Sequence, residues 1–299
     1  MKNRITFFVY LVFFITFSFA QNKKQKFNED KLLEHLEILS SDKFEGRRTG
    51  EKGNDSARAY IIEQFKELNV TGFNGEYEQP FSFENRNKTY NATNILAEIK
   101  GTESPDKYIV ISAHYDHLGV SGGKIYNGAD DDASGVAALL AFAEYFKTSP
   151  PKHSVILAAF DAEELGLRGA KHFVDTIDTN KILVNLNMDM ISRSAKDELY
   201  VVGARYTEWL TSILDRFKNT TTTKLLQGHD GTDNKDDWTM ASDHEPFYSA
   251  KIPFLYFGNE DHAAYHKPTD DFKDITPEFY KNAVEIILSV FVAIDTSGL

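Results

Sequence analysis

His114 and Asp116 stand two residues apart at the end of the apolar run in "YIVISAHYDHLG", and Asp130, Asp131 and Asp132 follow in "NGADDDASG". Glu163 and Glu164 close "SVILAAFDAEE", Asp189 closes "ILVNLNMD", and "IPFLYFGNED" runs on to His262 and His266. Each has an ordinary explanation alone: a hydrogen-bonded surface histidine, an Asp capping a helix, a solvated Glu pair. Their shared position after strand-like runs is what those explanations handle badly. In open α/β sheets ligands bind outside the carboxyl ends of the strands, so these acids converge on one crevice, where they repel and protonate unless cations neutralise them. No Lys or Arg stands beside them in these motifs. A metal site accounts for the arrangement economically. Imidazole with carboxylate and no thiolate suits zinc, with manganese or cobalt next and calcium disfavoured. Two histidines and three acids exceed what one catalytic zinc uses, and point to two ions sharing a bridging ligand.

The elements that must position these residues are visible in the hydrophobic pattern. Helical spacing over 28–68 predicts two packed helices around the turn "EGRRTGEKG", followed by strand-like pieces at 77–83 and 93–99. Strand patterns at 108–112, 154–160, 182–190, 199–203 and 252–257 then alternate with helical patterns at 133–148, 167–176, 206–218 and 277–294. Alternation of this kind predicts an α/β fold: three layers, with a central mostly parallel mixed sheet covered by helices on both faces. The polar stretch 228–243 is the one long irregular segment, and such loops are more often functional than accidental. Its acids, "DGTDNKDD", read as a solvated loop ahead of a calcium site. Tyr206, Trp209 and Phe217 recur at helical spacing and read as core, whereas Trp238 is placed to line a pocket.

The opening "MKNRITFFVYLVFFITFSFAQ" has Lys2 and Arg4 before an apolar and hydroxyl run from Ile5 to Phe19, the pattern of a secretory signal over 1–20. Residues 21–299 then form a single domain, exported to the periplasm or the medium, with no later segment long enough to span a membrane. Loss of Lys2 and Arg4 leaves 31 basic against 45 acidic residues, a net charge of −14, which argues against nucleic acid as a partner. The chain has no cysteine, so no disulfide forms.

"AHYDHLG", "NGADDDASGVAALL", "FDAEELGLRGA", "NMDM", "SDHEPF" and "YHKPTDD" occur in an order and at spacings that resemble those of the M28 zinc aminopeptidases. The segment "LSSDKFEGRRTGEKGNDSARAYI" is similar to that family's lead-in. The resemblance implies an α/β exopeptidase acting on peptides with a free N-terminus. It implies one zinc held by His114 and Asp189, a second by Glu164 and His266, and Asp131 bridging both, since Asp131 takes the first place of the family's D-D-x-S-G. Asp130 is then an extra acid, and the Asp131–Asp132 peptide is cis. It also implies that Asp116 accepts the second ring N–H of His114, that Glu163 is the general base, and that Tyr265 steadies an oxyanion. His262 rivals His266, and the "YHKP" context decides for His266; His117 and His244 carry no assignment. Two rivals stand beside this reading: a glutaminyl-cyclase-like acyltransferase with one zinc, and a non-catalytic binding homologue that has lost ligands.

Overall fold

A computed structural model describes residues 25–298; the leader at 1–20 lies outside the described residues. Among the described residues no helix is long and apolar enough to cross a membrane. In chain order the elements are α1 (Glu29–Leu39), α2 (Lys52–Glu67), β1 (Thr71–Gly72), β2 (Glu78–Asn85), β3 (Lys88–Ile99) and β4 (Ser104–His114). The short strands β5 (Gly119–Ser121) and β6 (Lys124–Tyr126) precede α3 (Ser134–Phe146), β7 (His153–Phe160), α4 (Arg168–Thr176), β8 (Ile182–Met188) and β9 (Glu198–Val202). Then come α5 (Glu208–Arg216), β10 (Lys224–Gln227), α6 (Glu245–Ser249), β11 (Phe254–Gly258) and α7 (Pro277–Asp295).

Nine strands form one mixed sheet in the order β1–β3–β7–β4–β8–β11–β9–β10, with β2 also paired to β3. The centre, β7–β4–β8–β11, is parallel, and antiparallel pairings flank it. Period-two alternation divides the central residues between two layers. Ile109, Ile111 and Ala113 pack with α1, α2, α3, α5 and α7, whereas Val110, Ile156 and Ala158 pack with Phe173 of α4 and Phe247 of α6. Helix α3 is apolar on nearly every side because it is buried on nearly every side. Each Leu or Phe it places inside contributes roughly 1.5–3 kcal/mol. The three-layer reading is thus observed.

Local outcomes differ from the pattern in two places. Helix α1 packs chiefly on α3 and meets α2 through a 2.7 Å hydrogen bond between His35 Nδ1 and Tyr60 Oη. Tyr206 is 39% exposed and belongs to a short 3₁₀ turn ahead of α5, not to the core face of that helix. Trp209 and Phe217 do pack, partly buried, against the core.

The turn after α1 holds the least expected residue. Arg47 is 1% exposed and has no carboxylate partner among the described residues; its guanidinium donates to the carbonyls of Leu39, Tyr115, Asn127 and Gly128 at 2.6–3.0 Å. Burial pulls its pKa down, while the charges of Asp131 and Asp132 pull it up. One side chain therefore ties the lead-in turn to the loops after β4 and before α3. Replacing it leaves several buried carbonyls unpaired, each costing about 1–3 kcal/mol. Arg47→Met should lower stability by at least ~3 kcal/mol in denaturant unfolding, and Arg47→Lys, which keeps the charge but not the fork, should recover only part of it.

Candidate metal centre

The parallel strands deliver their side chains to one edge. His114 is the last residue of β4, and it pairs with Phe160, the last of β7; Asp189 follows β8 directly, and the segment after β11 leads to His266. The chain turns sharply where each donor enters. Ala162, Met190 and His266 adopt φ of 60°, 60° and 53°, a left-handed conformation that costs a non-glycine residue roughly 1–2 kcal/mol. The Asp131–Asp132 peptide is cis, as the resemblance implies.

Asp131 stands at the centre. Its Oδ1 lies 3.2 Å from His114 Nε2, and that nitrogen is 3.5 Å from Asp189 Oδ1. Its Oδ2 lies 3.2 Å from His266 Nε2, which is 3.5 Å from Glu164 Oε2. Each oxygen thus faces a different histidine–carboxylate set. Two groups, His114/Asp131/Asp189 and His117/Asp131/Glu164, bring their donor atoms within 4.8 Å of one another. Burial works against a charged Asp131, but His117, His114 and His266 outweigh it and hold the carboxyl well below its usual range. For His114, burial is outweighed by Asp189 and Glu163, which raise the ring well above its usual range. These donor types suit zinc, and both His117 ring nitrogens and Glu164 Oε1 are buried without a hydrogen-bond partner among the described residues. The residues fit the metal.

The other expected residues fall as follows. Glu163 lines the same cavity of about 370 Å³ as His114, Asp131 and His266, and burial with Asp243 and Asp189 raises its carboxyl well above the usual range against the pull of His114. Tyr265 also lines it and stacks on His266 with ring centroids 3.9 Å apart. Trp238 and Met240, from the long loop, form part of its wall.

Asp116 differs from expectation. The His114 Nδ1–H donates to the backbone carbonyl of Asp116 at 3.1 Å, and the Asp116 carboxylate stands back at 3.7 Å. Strand β4 ends at His114, so the extended-chain argument for a side chain two residues on no longer holds there. The carboxylate instead accepts from Glu163 N at 3.0 Å, Glu164 N at 3.4 Å and Thr49 Oγ1 at 3.2 Å. It thereby fixes the backbone of the Glu163–Glu164 pair.

Asp130 is fully buried and turned away from the donor clusters, accepting from Ser192 N and Oγ, Asn259 Nδ2 and His262 Nε2. That holds His262 off the centre. Asp270, in "PTDD", accepts the backbone N–H groups of Asp130 and Asp131 at 3.1 Å and so fixes the loop that carries Asp131; burial and Asp130 push it up to about 6. His244 is buried, donates from Nε2 to Trp238 O at 2.9 Å, and is pushed down to about 4 by burial. Within "DGTDNKDD", Asp230, Asp233 and Asp237 are engaged locally, accepting backbone N–H groups two or four residues away. Those bonds are the habit of a solvated turn-rich loop.

A mixed sheet carrying two histidine–carboxylate clusters about one shared Asp at its carboxyl edge defines a metal-binding α/β domain. Residues 94–291 match the model of peptidase family M28, and the chain belongs to that family. A probable zinc metalloprotease of Phaeosphaeria nodorum is 27% identical over 269 residues, which cover 72% of this chain and 54% of that protein. Aminopeptidase YwaD of Bacillus subtilis is 31% identical over 203 residues, covering 63% and 41%. The chain spans about half the length of the curated relatives it matches. Among solved structures, a zinc aminopeptidase from Bacillus subtilis superposes with a TM-score of 0.73 at 18% identity, covering 91% of this chain and 97% of that one. A glutaminyl cyclase from Porphyromonas gingivalis gives 0.72 at 16%, covering 90% and 99%. Both likenesses concern the fold.

Gly128 precedes the loop that carries Asp131 at φ 56°, and a Cβ there would lie 2.1 Å from Asp131 O and 2.6 Å from His117 Cδ2. Gly128→Ala should therefore displace the loop. Overpacking and the left-handed backbone together cost roughly 2–4 kcal/mol, and bound metal per chain, measured by atomic absorption, should fall with the melting temperature.

Proposed function

We propose that this chain is a dizinc aminopeptidase that releases N-terminal residues from peptides. The observation that carries this reading is the single cleft in which His114, Asp189, Glu164 and His266 surround a two-faced Asp131 with Glu163 beside them. Asp131 would bridge, His114 and Asp189 would complete one position, and Glu164 and His266 the other. Zinc held there supplies Lewis acidity toward a peptide carbonyl and a water. Glu163 takes a proton from the attacking water on its carboxylate and passes it to the leaving amine. Its raised pKa suits a proton carrier, and the positive charge its neighbours are built to hold favours the carboxylate form that must act first. Tyr265, held against His266, offers its hydroxyl to the charge that develops on the carbonyl oxygen. The signal pattern over 1–20 supports export.

The relatives favour hydrolysis, since one is an aminopeptidase and another a probable zinc metalloprotease. Glutaminyl-cyclase-like acyl transfer is the second reading, favoured by the fold likeness alone. A panel of aminoacyl amides and their N-acetylated forms separates the two. Free-amine compounds alone should be hydrolysed, chelation should abolish turnover, and about two zinc per chain should be found; cyclisation of N-terminal glutamine without hydrolysis would reverse the order of the readings.

Glu163 and Glu164 divide catalysis from binding at adjacent positions. Glu163→Gln should keep both metals and the fold while lowering kcat by about 10²- to 10⁴-fold. Glu164→Gln should instead release metal, because a neutral amide oxygen is a poor zinc ligand beside a carboxylate. Metal analysis with steady-state kinetics on the pair checks the assignment, and zinc loss from Glu163→Gln with normal retention in Glu164→Gln would reverse it.

A further inference from the structure

His117 is not among the five donors that the family resemblance supplies. It is 1% exposed, and among the described residues neither ring nitrogen has a hydrogen-bond partner. Glu164 Oε1 is equally unpartnered, although His117 Nδ1 lies 2.8 Å from it. The separation is short enough for a hydrogen bond, but the alignment is not that of one. Two buried electronegative atoms held this close without a shared proton are stable when both lone pairs meet a third, positive body.

Asp131 Oδ2 stands 3.7 Å from the same ring nitrogen, and it is the oxygen that faces His266. Ligand atoms at about 2.0–2.1 Å from a tetrahedral zinc lie about 3.3 Å apart, and the 2.8, 3.2, 3.5 and 3.7 Å separations around this position bracket that value. The ring is also built into place. Its backbone N–H donates to Arg47 O at 3.3 Å, and its face rests on Gly128, where a Cβ would collide with it.

We propose that His117 ligates the second metal through Nδ1, so that this position has four protein donors: His117, His266, Glu164 and Asp131. The proposal rests on the dizinc reading above. The first position has three, His114, Asp189 and Asp131. A zinc with four protein ligands is closed and tightly held, whereas one with three keeps a place for water or substrate. The two positions therefore play different parts, in which the second anchors and fills first while the first stays open to the reactants.

The test is ¹⁵N-histidine-labelled full-length protein titrated with ¹¹³Cd²⁺ and read by metal–nitrogen coupling. At one equivalent, couplings should appear on two imidazoles, His117 and His266, and at two equivalents on a third, His114. His117→Gln should remove one coupled signal and release one metal at an at least ~10-fold lower chelator concentration; His262→Gln should keep all three signals. Where His117→Gln does not fold, the count in the unaltered protein decides. Two coupled imidazoles at saturation, a first equivalent that couples to His114, or no coupling at all overturns the proposal. Loss of the aminopeptidase reading shows up separately, as three coupled histidines in a zinc-loaded protein that hydrolyses no free-amine amide.

Discussion

Mutual repulsion among buried carboxylates is the constraint on which this structure turns. Asp116, Asp130, Asp131, Asp132, Asp189, Asp243 and Asp270 are all buried near one edge of the sheet, and Asp243 has no hydrogen-bond partner on either oxygen among the described residues. Burial alone would protonate such a set, and the folded chain answers the problem in three different ways. Asp130 and Asp270 receive neutral donors from loops that they thereby fix. Asp132 accepts from His114 N, Gly135 N and Ser134 Oγ, linking the strand end to the first turn of α3. Asp131, Asp189 and Glu164 are left facing histidines, the arrangement a bound cation completes.

The same division explains why the surroundings are so polar inside an apolar fold. Asn185 and Asn187 point from β8 into the layer shared with α4 and α6, where Asn185 donates to Ser112 Oγ at 2.8 Å, Ser112 to Asn187 Oδ1 at 2.6 Å, and Asn187 to Ser242 Oγ at 3.1 Å. That chain of bonds joins β4, β8 and the long loop in one network, and polar networks of this kind stiffen a core through the bonds they do make. The strand that leads into Asp189 and the loop that brings Trp238 to the cavity are therefore fastened to each other. The His229–Trp238 stack, with centroids 3.6 Å apart, holds the loop's other end.

Much of this was legible in the sequence, for identifiable reasons. Apolar runs of the right length marked the central strands, and the rule that strand ends face one crevice brought His114, Glu164, Asp189 and His266 together before any coordinates did. Family motifs favour His266 over His262, and in the structure His262 is bonded to Asp130 while His266 faces Asp131 and Glu164. Other features left no trace in spacing. The direction of the Asp116 side chain depends on where β4 stops, to within one residue. The exposure of Tyr206 depends on a 3₁₀ turn that keeps helical spacing without continuing the helix. His117 differs from a packed core histidine only in having unpartnered nitrogens, a three-dimensional property.

Arg47 bears on the order in which the chain assembles. It lies 80 residues before Asn127, whose carbonyl it binds, and ahead of the 94–291 stretch that the family model matches. The loop that presents Asp131 is thus clamped by a segment synthesised well before it, across a loop closure whose entropy must be met before the contact rewards it. A fragment beginning at residue 94 would contain every donor named above and lack the guanidinium that holds their loop. The geometry of the candidate donors is in that sense a property of the long-range closure as well as of the donors themselves.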